Sequence, residues 1–222
     1  MELLEAMEQR HSVRSYTDKK IEGEIKEKLQ QKIEECNRES GLHMQLVLNE
    51  PKAFDGFMAH YGKFSDVTDY IALVGKKSGD LEEKCGYYGE KIVLYAQQLG
   101  LNTCWVAMTF SKVKGAYKVK PGEKLCLVIA IGYGKNQGVA HKSKTIEQVS
   151  QVKGKMPEWF ERGVSAALLA PTAVNQQKFR FILKGNRVTA DAGRGFYSKI
   201  DCGIAKYHFE LGAGDGNFVW EK

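Results

Sequence analysis

Apolar positions follow two rhythms along this chain, one helical and one extended, and each change of rhythm marks a predicted element. Leu3, Leu4 and Met7 give residues 3–9 one apolar side and predict a short helix. Ile25, Leu29 and Ile33, spaced by four, predict a second helix over about 22–36. His43 to Leu48 alternates as a strand does and is closed by Asn49-Glu50-Pro51. Over 51–69, Phe54, Phe57, Tyr61 and Phe64 keep a helical spacing that Gly56 and Gly62 interrupt, so this segment reads as core or as a lid packed on core. Tyr70 to Gly75 reads as a buried strand. The strongest helical pattern runs from Leu81 to Leu99, with Tyr88, Ile92, Tyr95, Ala96 and Leu99 on one face and Gly100 at the C-terminal cap. Leu101–Met108 follows as a strand. Leu125 to Ile131 is apolar without a break and predicts a central strand covered on both faces.

From Pro157 the chain restarts. Trp159, Phe160, Gly163, Val164, Ala167 and Leu168 predict a helix of small residues that Pro171 breaks. Thr172–Gln177 is a polar loop, and Phe179, Phe181 and Leu183 alternate as a strand. A glycine-rich stretch from Gly193 to Gly203 leads to a last helix around 204–211, and the chain finishes on Phe218-Val219-Trp220. This back part echoes the front in order. Cys202-Gly203 matches Cys85-Gly86, and the same offset aligns Leu211 with Leu94 and Ala213 with Ala96. Trp220 matches Trp105 after a short deletion, and Phe179, Phe181 and Leu183 echo Met44, Leu46 and Leu48. A partial duplication is one reading; chance likeness between two helix–strand units is the other. The expected division is a front half over 1–152 and a shorter back half over 153–222, together forming one compact unit.

Composition narrows the classes. The chain has 222 residues, 24.9 kDa and 43% hydrophobic residues, enough for a large core. Its net charge of +6 is spread thinly, with no run of five like charges, which argues against nucleic-acid binding and fits an anionic small ligand. Five widely spaced cysteines without a Cys-x-x-Cys pair argue against a disulfide framework and a zinc site. The N-terminus lacks a signal-peptide pattern, and no apolar run is long enough to span a membrane. A soluble cytoplasmic protein is expected.

The candidate chemistry lies in Arg10-His11-Ser12-Val13-Arg14-Ser15-Tyr16. Positions 10, 12 and 14 share a face in an extended chain, and 10 and 14 share one in a helix. Either way two guanidinium forks flank a small hydroxyl, which suits a phosphate dianion. A solvated basic patch is the plainer alternative. Gly132 to Gly138 is rich in glycine but lacks the spacing and following helix of a phosphate loop, so it reads as a turn.

With these pieces the chain resembles the FMN-dependent nitroreductase family, in particular its branch with a fused, partly duplicated chain. The opening signature of the family looks like Arg10–Tyr16. Its helix–strand signature is similar to Gly100-Leu101-Asn102-Thr103-Cys104-Trp105, and its late strand with a basic tail to Ile129–Tyr133 followed by Lys142-Ser143-Lys144. Its Ala-Pro-Ser-x-x-Asn-x-Gln loop looks like Ala170-Pro171-Thr172-Ala173-Val174-Asn175-Gln176-Gln177. One departure stands out: the loop follows the first long helix in ordinary members, about where Cys36–Ser40 stands here, whereas this chain carries it only in the back part.

The resemblance implies an α+β, nitroreductase-like three-layer sandwich, with a mixed sheet flanked by helices and built as a pseudo-dimer from two related halves. It implies FMN as cofactor and NADH or NADPH as electron donor, with two-electron reduction of a nitroaromatic, quinone or similar acceptor by a ping-pong mechanism. The flavin carries the chemistry, so no catalytic side chain is expected. Arg10, His11, Ser12 and Arg14 would hold the phosphate and ribityl chain, with Lys142 and Lys144 adding charge unless they are solvated surface residues. Trp105, Val106, Ala107 and Met108 would lie along the ring, the backbone N–H groups of 106–108 facing N5. Pro171, Thr172, Ala173, Asn175 and Gln177 would form the loop that ordinary homodimers take from the partner subunit, unless it merely caps its helix. A monomeric pseudo-dimer with one FMN held by both halves is expected, with a homodimer as runner-up. Two other functions stay open: an FMN-binding or sensing protein without turnover, and a basic interaction module without flavin.

Overall fold

The computed structural model describes residues 1–221. The contacts group the chain into two compact units, Met1–Leu81 with Lys91–Ala140, and Glu82–Glu90 with the chain from His141 onward. One long helix, residues 81–98, is divided between the two groups.

The first unit holds α1 (Leu3–Gln9), α2 (Gly23–Ser40), β1 (Gln45–Val47), a 3-10 turn at Pro51–Ala53, α3 (Phe57–Tyr61) and β2 (Tyr70–Lys76). The C-terminal part of α4 (Leu81–Gln98), β3 (Asn102–Val106) and β4 (Glu123–Gly132) complete it. Its sheet runs β1-β2-β4-β3 and is antiparallel throughout, with Ala72 opposite Val128 and Cys104 opposite Ala130. The uninterrupted apolar run thus forms an inner strand, buried from Leu127 to Gly132 as its composition predicts. α2 outlasts its apolar stripe by four polar residues, Asn37-Arg38-Glu39-Ser40, and stops where Gly41 turns left-handed (φ 72°) and gives its N–H to Asn37 O. Gly100 (φ 78°) ends α4 as its position suggests.

The second unit contains α5 (Ile146–Val149), β5 (Ser150–Val152), α6 (Glu158–Ala167), a 3-10 turn at Ala173–Asn175, β6 (Arg180–Lys184), β7 (Arg187–Asp191), α7 (Ser198–Ala213) and β8 (Val219–Trp220). Its sheet runs β5-β6-β7-β8: β5 is parallel to β6, β6 antiparallel to β7, and β7 parallel to β8. Phe160, Phe179, Phe181 and Phe209 fill its core, with the rings of Phe181 and Phe209 stacked at 4.6 Å.

The N-terminal part of α4 crosses α7 inside this unit at two glycines. A Cβ on Gly86 would be driven into Ile200 O and would stand 3.1 Å from Ile204 N. A Cβ on Gly203 would be driven into Glu83 O and would stand 2.8 Å from Tyr87 N. The offset that pairs Gly86 with Gly203 also pairs Glu83 with Ile200 and Tyr87 with Ile204, so the contact is reciprocal in the way a two-fold interface is. This explains why α7 begins at Ser198 and not near 204: the glycine that read as coil is a helical residue whose missing side chain lets two backbones meet. β1–β2–α4–β3 corresponds to β6–β7–α7–β8, except that β4 stands between β2 and β3 while β7 and β8 are direct neighbours.

Candidate functional site

Each part of the site is built by local structure. In the first unit, α1 ends at Arg10, whose N–H bonds Ala6 O at 2.9 Å and whose backbone is already extended. The next residues run beside β3: Ser12 pairs in parallel with Thr103, and Val13 N–H bonds Thr103 O at 3.0 Å. Arg14 O then accepts from Ser65 N–H at 2.9 Å. The segment is therefore extended, which places Arg10, Ser12 and Arg14 on one face. Tyr16 anchors its far end, with the hydroxyl donating to Val13 O at 2.8 Å and the ring packed where Gly132 leaves room. Burial pushes the Tyr16 phenol well above its ordinary range.

Arg10 is 2% exposed, while Arg14 lies on the surface with its guanidinium 6.0 Å from the Phe64 ring. Burial pushes the Cys104 thiol up, and the guanidinium groups of Arg14 and Arg10, together with a hydrogen bond from Ser12, pull it back down. Cys104 on β3 therefore lies within the field of both arginines.

The Gly132–Gly138 run is the expected turn, and it lies against the arginine segment. Gly138 (φ 71°) passes so close that a Cβ there would stand 2.8 Å from His11 Cβ and 3.0 Å from Ser12 O. Asn102 ties this turn to β3, accepting from Gly134 N–H and donating to Gln137 Oε1, both at 3.0 Å. Nothing in its spacing announced that task. At the other end of β3, Trp105 is half-buried and Val106 buried. Ala107 and Met108 lie in the bend that follows, with Met108 63% exposed.

In the second unit, residues 141–144 run along the loop that follows α6. His141 Nε2 and Ser143 Oγ both meet Leu168 O, at 2.9 and 3.2 Å. Lys142 O accepts from Asn175 Nδ2 at 2.8 Å and from Gln177 Nε2 at 2.9 Å. Lys144 N–H donates to Gln177 Oε1 at 2.9 Å, and its ammonium to Gln177 O at 2.6 Å. Gln177, 2% exposed, spends its whole side chain inside the protein, since Nε2 also donates to Asn175 Oδ1. So Gln177 and Lys144 shape the loop and do not project from it, whereas the Lys142 side chain is exposed. Thr172 Oγ1 accepts from Gln177 N–H, and Pro171, Thr172 and Ala173 are half-buried at the loop's root.

A residue absent from the sequence reading completes this network. Asp201, 4% exposed on the first turn of α7, accepts from Ala173 N–H at 3.0 Å and from Gln176 Nε2 at 2.7 Å. Burial pushes its carboxyl up to about 6, against the pull of those two donors. The folded protein therefore binds this proton more tightly than the unfolded chain does, and the resulting stabilisation is present below the ordinary carboxylate range and lost as pH rises through about 6. The stability of the wild type relative to Asp201→Asn should fall by about 2–3 kcal/mol between pH 4 and pH 7, read by urea denaturation at each pH. A difference that stays flat would mean that the carboxyl titrates normally.

Among the described residues no group of three His, Cys, Asp or Glu side chains could hold a metal ion, and no helix is long and apolar enough to cross a membrane. No curated protein sequence matches the chain. Among solved structures, a "putative nitroreductase" of Thermotoga maritima MSB8 is 24% identical over 95% of this chain and 83% of its own, with a TM-score of 0.64. A nitroreductase family protein of Streptococcus pneumoniae TIGR4 is 15% identical over 67% of this chain and 98% of its own, with a TM-score of 0.53. These likenesses extend to the fold, α+β with helix-flanked sheets. The family model described as "Putative TM nitroreductase" matches residues 2–213, a span that takes in both the arginine segment and the loop after α6. The chain belongs to that nitroreductase family.

Proposed function

We propose that this chain binds FMN and uses NADH or NADPH to reduce a nitroaromatic, quinone or similar small acceptor. Family membership supports an oxidoreductase, and the observation that carries the finer reading is the extended segment beside β3 that puts Arg10, Ser12 and Arg14 on one face. Two permanently charged forks and a hydroxyl donor fit a phosphate dianion, the one part of FMN that carries full charge. When bound, FMN supplies the two-electron chemistry, taking hydride from the nicotinamide and passing it to the acceptor.

The protein's own residues bind and orient. Arg10 and Arg14 neutralise the phosphate, Ser12 donates to it, and His11 lines the same segment. The backbone from Trp105 to Met108 lies along the ring. The loop from Pro171 to Gln177 addresses the ring or the ribityl hydroxyls through Asn175, with Gln177 and Lys144 fixing its shape and the exposed Lys142 adding charge. One FMN per chain follows from a single Arg-x-Ser-x-Arg segment. The reciprocal crossing of α4 and α7 supports two fused, related halves that are complete as a monomer.

Turnover is tested under anaerobic conditions. The flavin-loaded protein should bleach quickly on mixing with NADH or NADPH, and double-reciprocal plots against a quinone should be parallel, as expected when donor and acceptor use one site in turn. A flavin that stays yellow would make the protein a binder, and a colourless protein would remove the flavin altogether.

A further inference from the structure

The loop from Thr172 to Gln177 holds a backbone that its sequence does not favour. Val174, Asn175 and Gln177 all have left-handed φ, at 45°, 54° and 42°, and none is glycine. Such residues are unfavourable and persist only where the surroundings over-determine them. The β-branched Val174, 79% exposed, is the least suited of the three and gains nothing from burial in return. Hydrogen bonds from the 141–144 segment brace the C-terminal side of the loop. Asp201 ties the two ends of the loop together, Oδ1 accepting from Ala173 N–H and Oδ2 from Gln176 Nε2.

The cost of this brace is visible nearby. Gln176 turns its amide so that Nε2 serves Asp201 Oδ2 at 2.7 Å and Phe196 O at 3.0 Å, which leaves Gln176 Oε1 buried without a hydrogen-bond partner among the described residues. A buried acceptor left unpaired is unfavourable. Asp201 itself is an almost fully buried acid on the first turn of α7, its charge favoured by the helix N-terminus and the two donors. Strain, an orphaned acceptor and a desolvated carboxylate thus converge on the one loop that the flavin reading selects. We propose that Asp201 is the positioning residue of that loop: its carboxylate holds residues 172–177 in the strained shape that meets the ring or ribityl part of the flavin.

This proposal rests on the flavin reading, and the test separates the two. Asp201→Asn keeps the size of the side chain but presents an NH2 to one of two donors, so one arm of the brace is lost. In the full-length variant, amide hydrogen exchange over 173–177 should quicken at least tenfold, while exchange in β6 and β7 stays as in the wild type. FMN and riboflavin should weaken by the same factor, about tenfold, because the loop touches what the two ligands share, and the visible circular dichroism of the bound flavin should change shape. Gln176→Ala, which removes one arm from a half-buried position, should move every readout the same way by less and stands in if Asp201→Asn folds poorly. Unchanged exchange over 173–177 overturns the brace. Faster exchange with flavin affinities and dichroism unchanged overturns the positioning role, since the loop would then be held for the fold alone. A wild type that binds neither flavin overturns the flavin reading, and the ligand of this proposal with it, whatever the exchange shows.

Discussion

Arg14→Ala should weaken FMN by about ten- to a hundredfold while riboflavin affinity stays almost unchanged. The magnitude follows from losing charge-assisted hydrogen bonds that contribute about 1.5–3 kcal/mol. The selectivity follows from geometry. Arg14 is exposed, and the contacts that fix the segment are made by backbone: Arg14 O accepts from Ser65, and Val13 N–H donates to Thr103. Removing the side chain leaves those bonds in place, so only the ligand's charged end should notice. Titrating both flavins into both proteins reads the outcome. Equal weakening of the two ligands would mean that Arg14 supports the fold and that the phosphate lies elsewhere. Asp201→Asn predicts the opposite pattern, equal loss for both ligands, so the two variants separate the two ends of the flavin.

Gly86→Ala and Gly203→Ala should each destabilise the protein by about 3 kcal/mol or more, at the upper end of what overpacking usually costs. In each case the added methyl is driven into a helix carbonyl, Ile200 O or Glu83 O. A carbonyl inside a helix cannot swing aside as a side-chain end can, so α7 and the N-terminal part of α4 must separate along the whole crossing. Against a total stability of about 5–15 kcal/mol, that loss should lower the denaturation midpoint visibly. Because one separation relieves both clashes, the double variant should lose clearly less than the two single losses added together. Strict additivity would show that the two glycines do not share one contact.

What the sequence reveals depends on how local each determinant is. α4 and β4 are legible because their apolar residues repeat within one element, and Gly100 marks its own helix end. β7 left little trace: only Val188 is buried along its length, and one buried side chain beside the small Ala190 sets up a weak alternation. Its signal was the turn, Gly185-Asn186, a two-residue connection between the paired Lys184 and Arg187. α7 was shortened because Gly203 is explained by the backbone of another helix, which no window around residue 203 contains. The same division applies to the site. Arg10, Ser12 and Arg14 are legible because an extended backbone puts alternate residues on one face. Gln177 and Lys144 have the right chemistry for a ligand, but the fold uses it internally. Asp201 carried no signal, since its partners lie in the loop after α6 and only the tertiary structure brings them to it. The left-handed backbone at 174, 175 and 177 was hidden for a related reason: no glycine stands there to announce it.

The sharing of α4 sets an order on synthesis. Residues 82–90 group with the chain from His141 onward, whereas 91–98 group with the unit that precedes it in synthesis. A growing chain can close the antiparallel sheet of its first unit once β4 has emerged. The face of α4 around Gly86 must then wait, uncovered, until α7 has emerged. During that interval a helix face shaped for close backbone contact is open to any other nascent copy that presents its own α7, and at high expression the two chains could exchange that helix. Slower initiation should therefore lower the share of chains that have exchanged α7.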